Sequence, residues 1–119
     1  LLADEVSRRN AMIYELRTYT AMPGELPAVV DRFRRFTAEA QRRHGFRQIG
    51  FWTAQVGGEN TQLIYMLQWE SYEERNRCYD AIRSDPERAR VFAESEAAGP
   101  ILASVLNVML EPTDFSPLQ

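Results

Sequence analysis

The sequence predicts an α+β domain of the ferredoxin-like βαββαβ type, a four-stranded antiparallel sheet with its helices on one face. Three observations carry that prediction. Apolar spacing switches between a period of two and a period near 3.6 in the order strand, helix, strand, strand, helix pair, strand. Glycine or proline punctuates most of the switches. A length of 119 residues, 45% hydrophobic and 11% aromatic, supplies one ordinary core and not two.

The first strand is the run Ile13-Tyr14-Glu15-Leu16-Arg17-Thr18-Tyr19-Thr20, closed by Met22-Pro23-Gly24. Side chains alternate across a strand, so Tyr14, Leu16 and Thr18 share one face and Glu15, Arg17 and Tyr19 the other. A helix is expected from about Glu25 to Arg43. Pro27 suits its first turn, and Val29, Val30, Phe33, Phe36, Thr37 and Ala40 recur at three- and four-residue intervals. His44-Gly45 ends it.

Residues 47–56 read as the second strand, Gly57-Gly58-Glu59-Asn60 as a hairpin turn, and Thr61 to Trp69 as the third strand. Ser71 followed by Glu74 makes a capping box for a helix reaching about Ser84, with Tyr72, Cys78, Tyr79 and Ile82 favouring one side. Asp85-Pro86-Glu87 starts a further helix, anchored by Val91, Phe92 and Ala93 and stopped by Gly99-Pro100. Ile101 to Leu110 forms the last strand. The expected organisation is a mobile extension over 1–11, a domain over 12–111 and a tail over 112–119.

Helices on one side leave the other sheet face bare. With Leu16 set toward the helices, Glu15, Arg17 and Tyr19 are expected on the bare face, beside Trp52 or Phe51, Tyr65 or Met66, and Asn107 or Val108. Such a face is too aromatic to stay wet, and a partner sheet is its natural cover.

Composition narrows the function classes. A net charge of −3 argues against a nucleic-acid surface, which needs a clustered basic excess. All fourteen basic residues are arginine, so a lysine Schiff base or lysine general base is excluded. The single cysteine, Cys78, offers neither an internal disulfide nor a thiolate metal site, and reads as a structural thiol in a reducing, cytoplasmic setting. No apolar run approaches the ~20 residues that span a bilayer.

Several of these pieces together resemble the NIPSNAP family: the Ile13 to Tyr19 strand with Pro23-Gly24, Phe51-Trp52, the strand end Tyr65-Met66-Leu67-Gln68-Trp69-Glu70-Ser71, and Asp85-Pro86-Glu87. The resemblance covers about Met12 to Leu110. It implies a homodimeric α+β barrel, in which two ferredoxin-like subunits pack their open sheet faces together and enclose a cavity beside each sheet. That fold is shared with cofactor-independent monooxygenases, with isomerases and cyclases that handle aromatic molecules, and with haem-degrading or peroxidase-like relatives. Fold does not settle chemistry. The family has no single established reaction, and several members are known as vesicle- or mitochondria-associated interaction proteins.

The candidate catalytic residues are Arg17, Glu15, Tyr19 and His44. Arg17 suits a carboxylate or enolate oxygen, and Glu15, two residues away on the strand, suits proton acceptance; the same two side chains also suit a plain ion pair. His44 is the only histidine, at a helix C-terminus where capping is the favoured explanation. Trp52, Tyr65, Trp69 and Asn107 are the candidate substrate-binding residues, with core packing as the alternative for each aromatic ring. No clustered ligand spacing points to a metal, and no cofactor is expected; haem on His44 as a single axial ligand is the alternative.

Two function classes follow. One is a small hydrophobic or aromatic molecule bound between the sheets, with cofactor-independent isomerisation, cyclisation or oxygenation as the chemistry. The other is a non-catalytic interaction protein whose aromatic sheet face serves dimerisation.

Overall fold

The sheet is organised around β1 (Ile13–Ala21), which pairs antiparallel with β3 (Gln62–Trp69) on one side and β4 (Leu102–Leu110) on the other. In the computed structural model, which describes residues 11–119, β2 (Arg47–Thr53) completes the order β2-β3-β1-β4. That is the predicted ferredoxin-like α+β arrangement. The extension expected over 1–11 lies, but for Ala11, outside the described residues.

The first crossover is helical from α1 (Leu26–Arg32) through a π-helical turn (Phe33–Thr37) to α2 (Ala38–Arg43). Val29, Phe33, Phe36 and Ala40 are its buried stripe, as the spacing predicts. The π turn is a structural finding without a sequence signal, since a single widened turn leaves the apolar period almost intact. Gly45 follows with φ +91, and a Cβ there would stand 3.3 Å from Cys78 Sγ. Glycine is therefore needed at this stop both for the left-handed turn and for the close approach of the next helix.

α3 (Tyr72–Arg83) begins at Ser71, whose hydroxyl accepts the Glu74 backbone N–H at 3.1 Å, and α4 (Pro86–Ser95) begins at Asp85, which accepts that of Glu87 at 2.9 Å. Both caps fall where the sequence places them. Cys78, Tyr79 and Ile82 of α3 and Val91 of α4 face the core, whereas Tyr72 and Ala93 are exposed, contrary to the expected stripes. β2 stops at Thr53, three residues early, because the turn at Gly57 and Gly58 draws the flanking residues into a wider loop.

Register decides which side chains share a face, and here it overturns the expected orientation of β1. Glu15 lies opposite Leu67 and Met109, Arg17 opposite Tyr65 and Asn107, and Tyr19 opposite Leu63 and Val105. In β3 the buried residues are Leu63, Tyr65, Leu67 and Trp69, the ones under the helices. Glu15, Arg17 and Tyr19 therefore point into the helix-covered side, and Leu16 points out. The physical reason is compensation: the helices carry donors that meet the Glu15 carboxylate, so the charged row costs less inside than its composition suggests.

Leu16, Thr18, Ile64, Met66, Leu106 and Val108 form the open face with Trp52, whose register partner is Ile64. A register shift between Gln48 and Gly50 sets Trp52 outward, its ring over Gly50 with only 2.7 Å to spare for a Cβ. Leu106 is 62% and Trp52 52% exposed. The bare apolar face exists as expected, but with Trp52, Met66 and Val108 on it, not Phe51, Tyr65 and Asn107. Among the described residues no helix is long and apolar enough to cross a membrane.

Candidate functional site

Beneath the helices the polar row of β1 meets the aromatic row of β3. Glu15 is completely buried, and five side-chain hydrogen bonds converge on its two oxygens. Oε1 accepts from Trp69 Nε1 at 2.9 Å and Arg75 Nε at 2.9 Å. Oε2 accepts from Arg75 Nη2 at 2.8 Å, Arg17 Nη1 at 3.0 Å and the Tyr79 hydroxyl at 3.2 Å. Burial works to raise the pKa of this carboxyl, but the hydrogen bonds from Arg75, Asn107 and Trp69 and the Arg75 charge outweigh it and hold it at about 2. Glu15 is thus a permanent anion at neutral pH.

Arg17 spends Nη1 on Glu15 and Nη2 on the Tyr19 hydroxyl at 3.1 Å, while its Nε is buried without a partner. Its guanidinium carbon lies 5.4, 5.9 and 5.3 Å from the ring centroids of Tyr19, Tyr65 and Tyr79. Burial disfavours its charge, yet the surrounding tyrosines more than offset that and shift its pKa upward. The Tyr65 hydroxyl donates to that of Tyr19 at 3.2 Å and accepts from Gln41 Nε2 at 3.4 Å. Burial pushes the Tyr65 phenol well above its ordinary pKa, with Tyr19 adding to the rise and Arg17 opposing it. Burial likewise raises Tyr79. Both are hydroxyl donors at any physiological pH.

These groups border a cavity of about 150 Å³ between sheet and helices. Arg17, Tyr19 and Tyr65 form its sheet side; Thr37 and Gln41 enter from the π turn and α2, and Tyr79 and Ile82 from α3. The Thr37 hydroxyl, like Arg17 Nε, is buried without a hydrogen-bond partner. Arg83 and Arg88 complete the border where α3 hands over to α4, Arg83 exposed and Arg88 half-buried, so that end faces solvent. Among the described residues no carboxylate borders the cavity.

The structure brings Arg17, Tyr19 and Tyr65 to this cavity and leaves the other expected site residues beside it. Glu15 lies behind Arg17 and is not on the border. Trp69 is core, edge-on to Phe46 at 5.0 Å and donating to Glu15. Asn107 belongs to the Arg17 row on the edge strand β4, where it is exposed, and helps lower the Glu15 pKa. Trp52 is on the opposite face of the sheet. His44 caps α2, with Nε2 2.8 Å from Asp85 Oδ2, where Arg43 Nη1 also donates at 2.8 Å. The hydrogen bonds from His44, Arg43 and the Glu87 backbone hold Asp85 at about 2. His44 therefore ties two helix ends together and lies off the cavity border.

Thr37, Gln41, Tyr79 and Arg88 escaped the sequence reading. Tyr79 was legible only as an apolar position of α3, and Thr37 as part of a helical stripe. Nothing in spacing alone says that a polar atom in such a stripe is left without a partner.

A family model described as NIPSNAP matches residues 14–117. The mouse protein NipSnap homolog 3B is 24% identical over 78 residues, which are 66% of this chain and 31% of that protein, so the match spans under a third of the relative's length. An uncharacterized NIPSNAP-like domain protein from Burkholderia xenovorans is 28% identical and superposes with a TM-score of 0.78, covering 91% of this chain and 90% of that one. A NIPSNAP family protein from Agrobacterium tumefaciens is 25% identical with a TM-score of 0.80, covering 91% and 99%. SnoaB, a cofactor-independent oxygenase from Streptomyces nogalater, shares the fold alone, at 13% identity and a TM-score of 0.59 over 90% and 98% of the two chains. With nearly the whole domain matched in order, from the first strand that carries Glu15 and Arg17 to the tail beyond β4, the chain belongs to the NIPSNAP family.

Proposed function

We propose that this NIPSNAP chain works as a homodimer of the α+β barrel type, and that each subunit takes up one small hydrophobic or aromatic molecule in the cavity between its sheet and its helices. The observation that carries this reading is the convergence of Arg17, Tyr19, Tyr65 and Tyr79 on a cavity of about 150 Å³. A space of about that volume is large enough for a single six-membered ring. The open face, with Trp52, Met66, Leu106 and Val108 on it, supports pairing with a second copy, since an apolar sheet face of this extent is costly to leave in water.

The chemistry such a cavity supports is stabilisation of negative charge. Arg17 and the tyrosine hydroxyls are fixed donors in a partly desolvated space, the common requirement of cofactor-independent isomerisation, cyclisation and oxygenation through an enolate or phenolate. Proton removal does not fall to Glu15. Five donors and a pKa of about 2 make it a weak base, and its contribution is to position the Arg17 guanidinium. The reacting anion would then come from the acidity of the substrate itself. SnoaB shows that a protein of this fold hosts cofactor-independent oxygenation, which supports the scaffold and not the chemistry.

One observation favours the second reading, a non-catalytic interaction protein: Arg17 is already paired to Glu15 at 3.0 Å, as a buried brace would be. Arg17→Ala separates the two. Binding of benzamide, followed by NMR chemical shifts of cavity residues, is expected to vanish while the variant sediments as a folded dimer. A variant that unfolds or dissociates would place Arg17 in the fold. Leu106→Glu is the complementary change, expected to give a folded monomer; a dimer that survives it would move the interface elsewhere.

A further inference from the structure

The border of the cavity is unbalanced in a way that specifies its occupant. Arg17, Arg83 and Arg88 line it, and among the described residues no aspartate or glutamate does. Glu15 pairs with Arg17 from behind and shares its single charge with Arg75. Arg83 has only a loose contact with the exposed Asp80, at 3.7 Å. Arg88 has no carboxylate partner among the described residues; its guanidinium carbon lies over the Phe92 ring, 4.2 Å from the centroid, at the solvent end of the cavity.

The apolar part of the border sets the other half of the specification. Tyr19, Phe46, Tyr65, Tyr79 and Phe92 supply ring faces and edges around a space sized for one ring. We propose that the ligand class is a one-ring organic carboxylate, its carboxylate received by Arg88 at the solvent end and its ring inserted among the tyrosines. This rests on the cavity being a binding site at all. Arg88 is preferred to Arg83 because it is half-buried, held by its stack on Phe92, and without a competing acid, so less ordering is needed to form a charge-assisted pair.

The test uses the full chain, titrated with benzoate and with benzamide, a neutral molecule of nearly the same shape, and read by NMR shifts of the cavity residues. Benzoate is expected to bind about tenfold more tightly, the margin that separates a charge-assisted hydrogen bond from a neutral one. Arg88→Gln should remove most of that margin and leave benzamide affinity within about twofold, while Arg88→Lys restores part of it. Equal affinity for the two probes in the wild type would overturn the carboxylate assignment and leave the cavity reading standing. A benzoate preference that survives Arg88→Gln unchanged would also overturn it, since the anion would then be held elsewhere. If neither probe shifts the cavity residues, both this assignment and the binding reading beneath it fall.

Discussion

Replacing Glu15 by glutamine removes one charge from the most densely bonded point of the fold, and the structure sets the size of the effect. The carboxyl falls from an ordinary 4.5 to about 2 in the folded protein. At about 1.4 kcal/mol per pKa unit, that displacement is worth about 3 kcal/mol in favour of the folded state. An independent estimate agrees: breaking a buried ion pair by removing one partner costs about 3–5 kcal/mol, because Arg75 and Arg17 would keep their charges without the compensating anion. Against a typical domain stability of about 5–15 kcal/mol, Glu15→Gln should fold but be visibly weakened. The sign with pH follows from the direction of the shift. A depressed carboxyl stabilises fully above its unfolded pKa and loses that contribution as pH falls through the folded one. Urea unfolding at a series of pH values should therefore show the variant about 3 kcal/mol below wild type at pH 7, with the gap closing between about pH 4.5 and pH 2. A deficit under about 1 kcal/mol, or one that does not change with pH, would refute the compensated-anion account of the β1 face.

Two further changes probe other parts of the architecture. Gly50→Ala places a Cβ 2.7 Å from the Trp52 ring, which is half-exposed on the open face and has room to swing aside; sedimentation equilibrium should show weakened self-association with little change in the unfolding of the subunit, whereas a large loss of subunit stability would mean that Trp52 is anchored to the fold. Asp85→Asn keeps an N-cap for α4 but removes the anion that His44 and Arg43 share, so thermal unfolding should come earlier at pH 7, and the deficit should disappear as pH falls toward 2, where wild-type Asp85 is itself protonated.

How much of this was legible depends on how local each signal is. Caps are written in the residues that make them, so Ser71 and Asp85 mark α3 and α4 without reference to the rest of the chain. The stop at Gly45 is as clear. The orientation of β1 is not local: alternation says that Glu15, Arg17 and Tyr19 share a face, but not which face. Leu16, the lone aliphatic between two charges, suggested the wrong one, because the donors that make Glu15 tolerable inside come from Trp69, Arg75 and Tyr79, at least 54 positions away. The same distance hides the cavity, whose border draws on β1, the π turn, α2, β3, α3 and α4.

By itself, then, the sequence determined the order and type of the elements, the one-sided helical cover, and the family, since period, punctuation and capping are properties of neighbouring residues. Only the tertiary structure decided which sheet face the helices cover, that Glu15 is a buried anion met by donors from three other side chains and Arg17, that His44 bridges two helix ends, and that Arg17 and three tyrosines border a cavity beneath the helices. Each of those outcomes turns on burial and on partners far away in the chain, and a charge inside a protein is decided by the donors that fold around it.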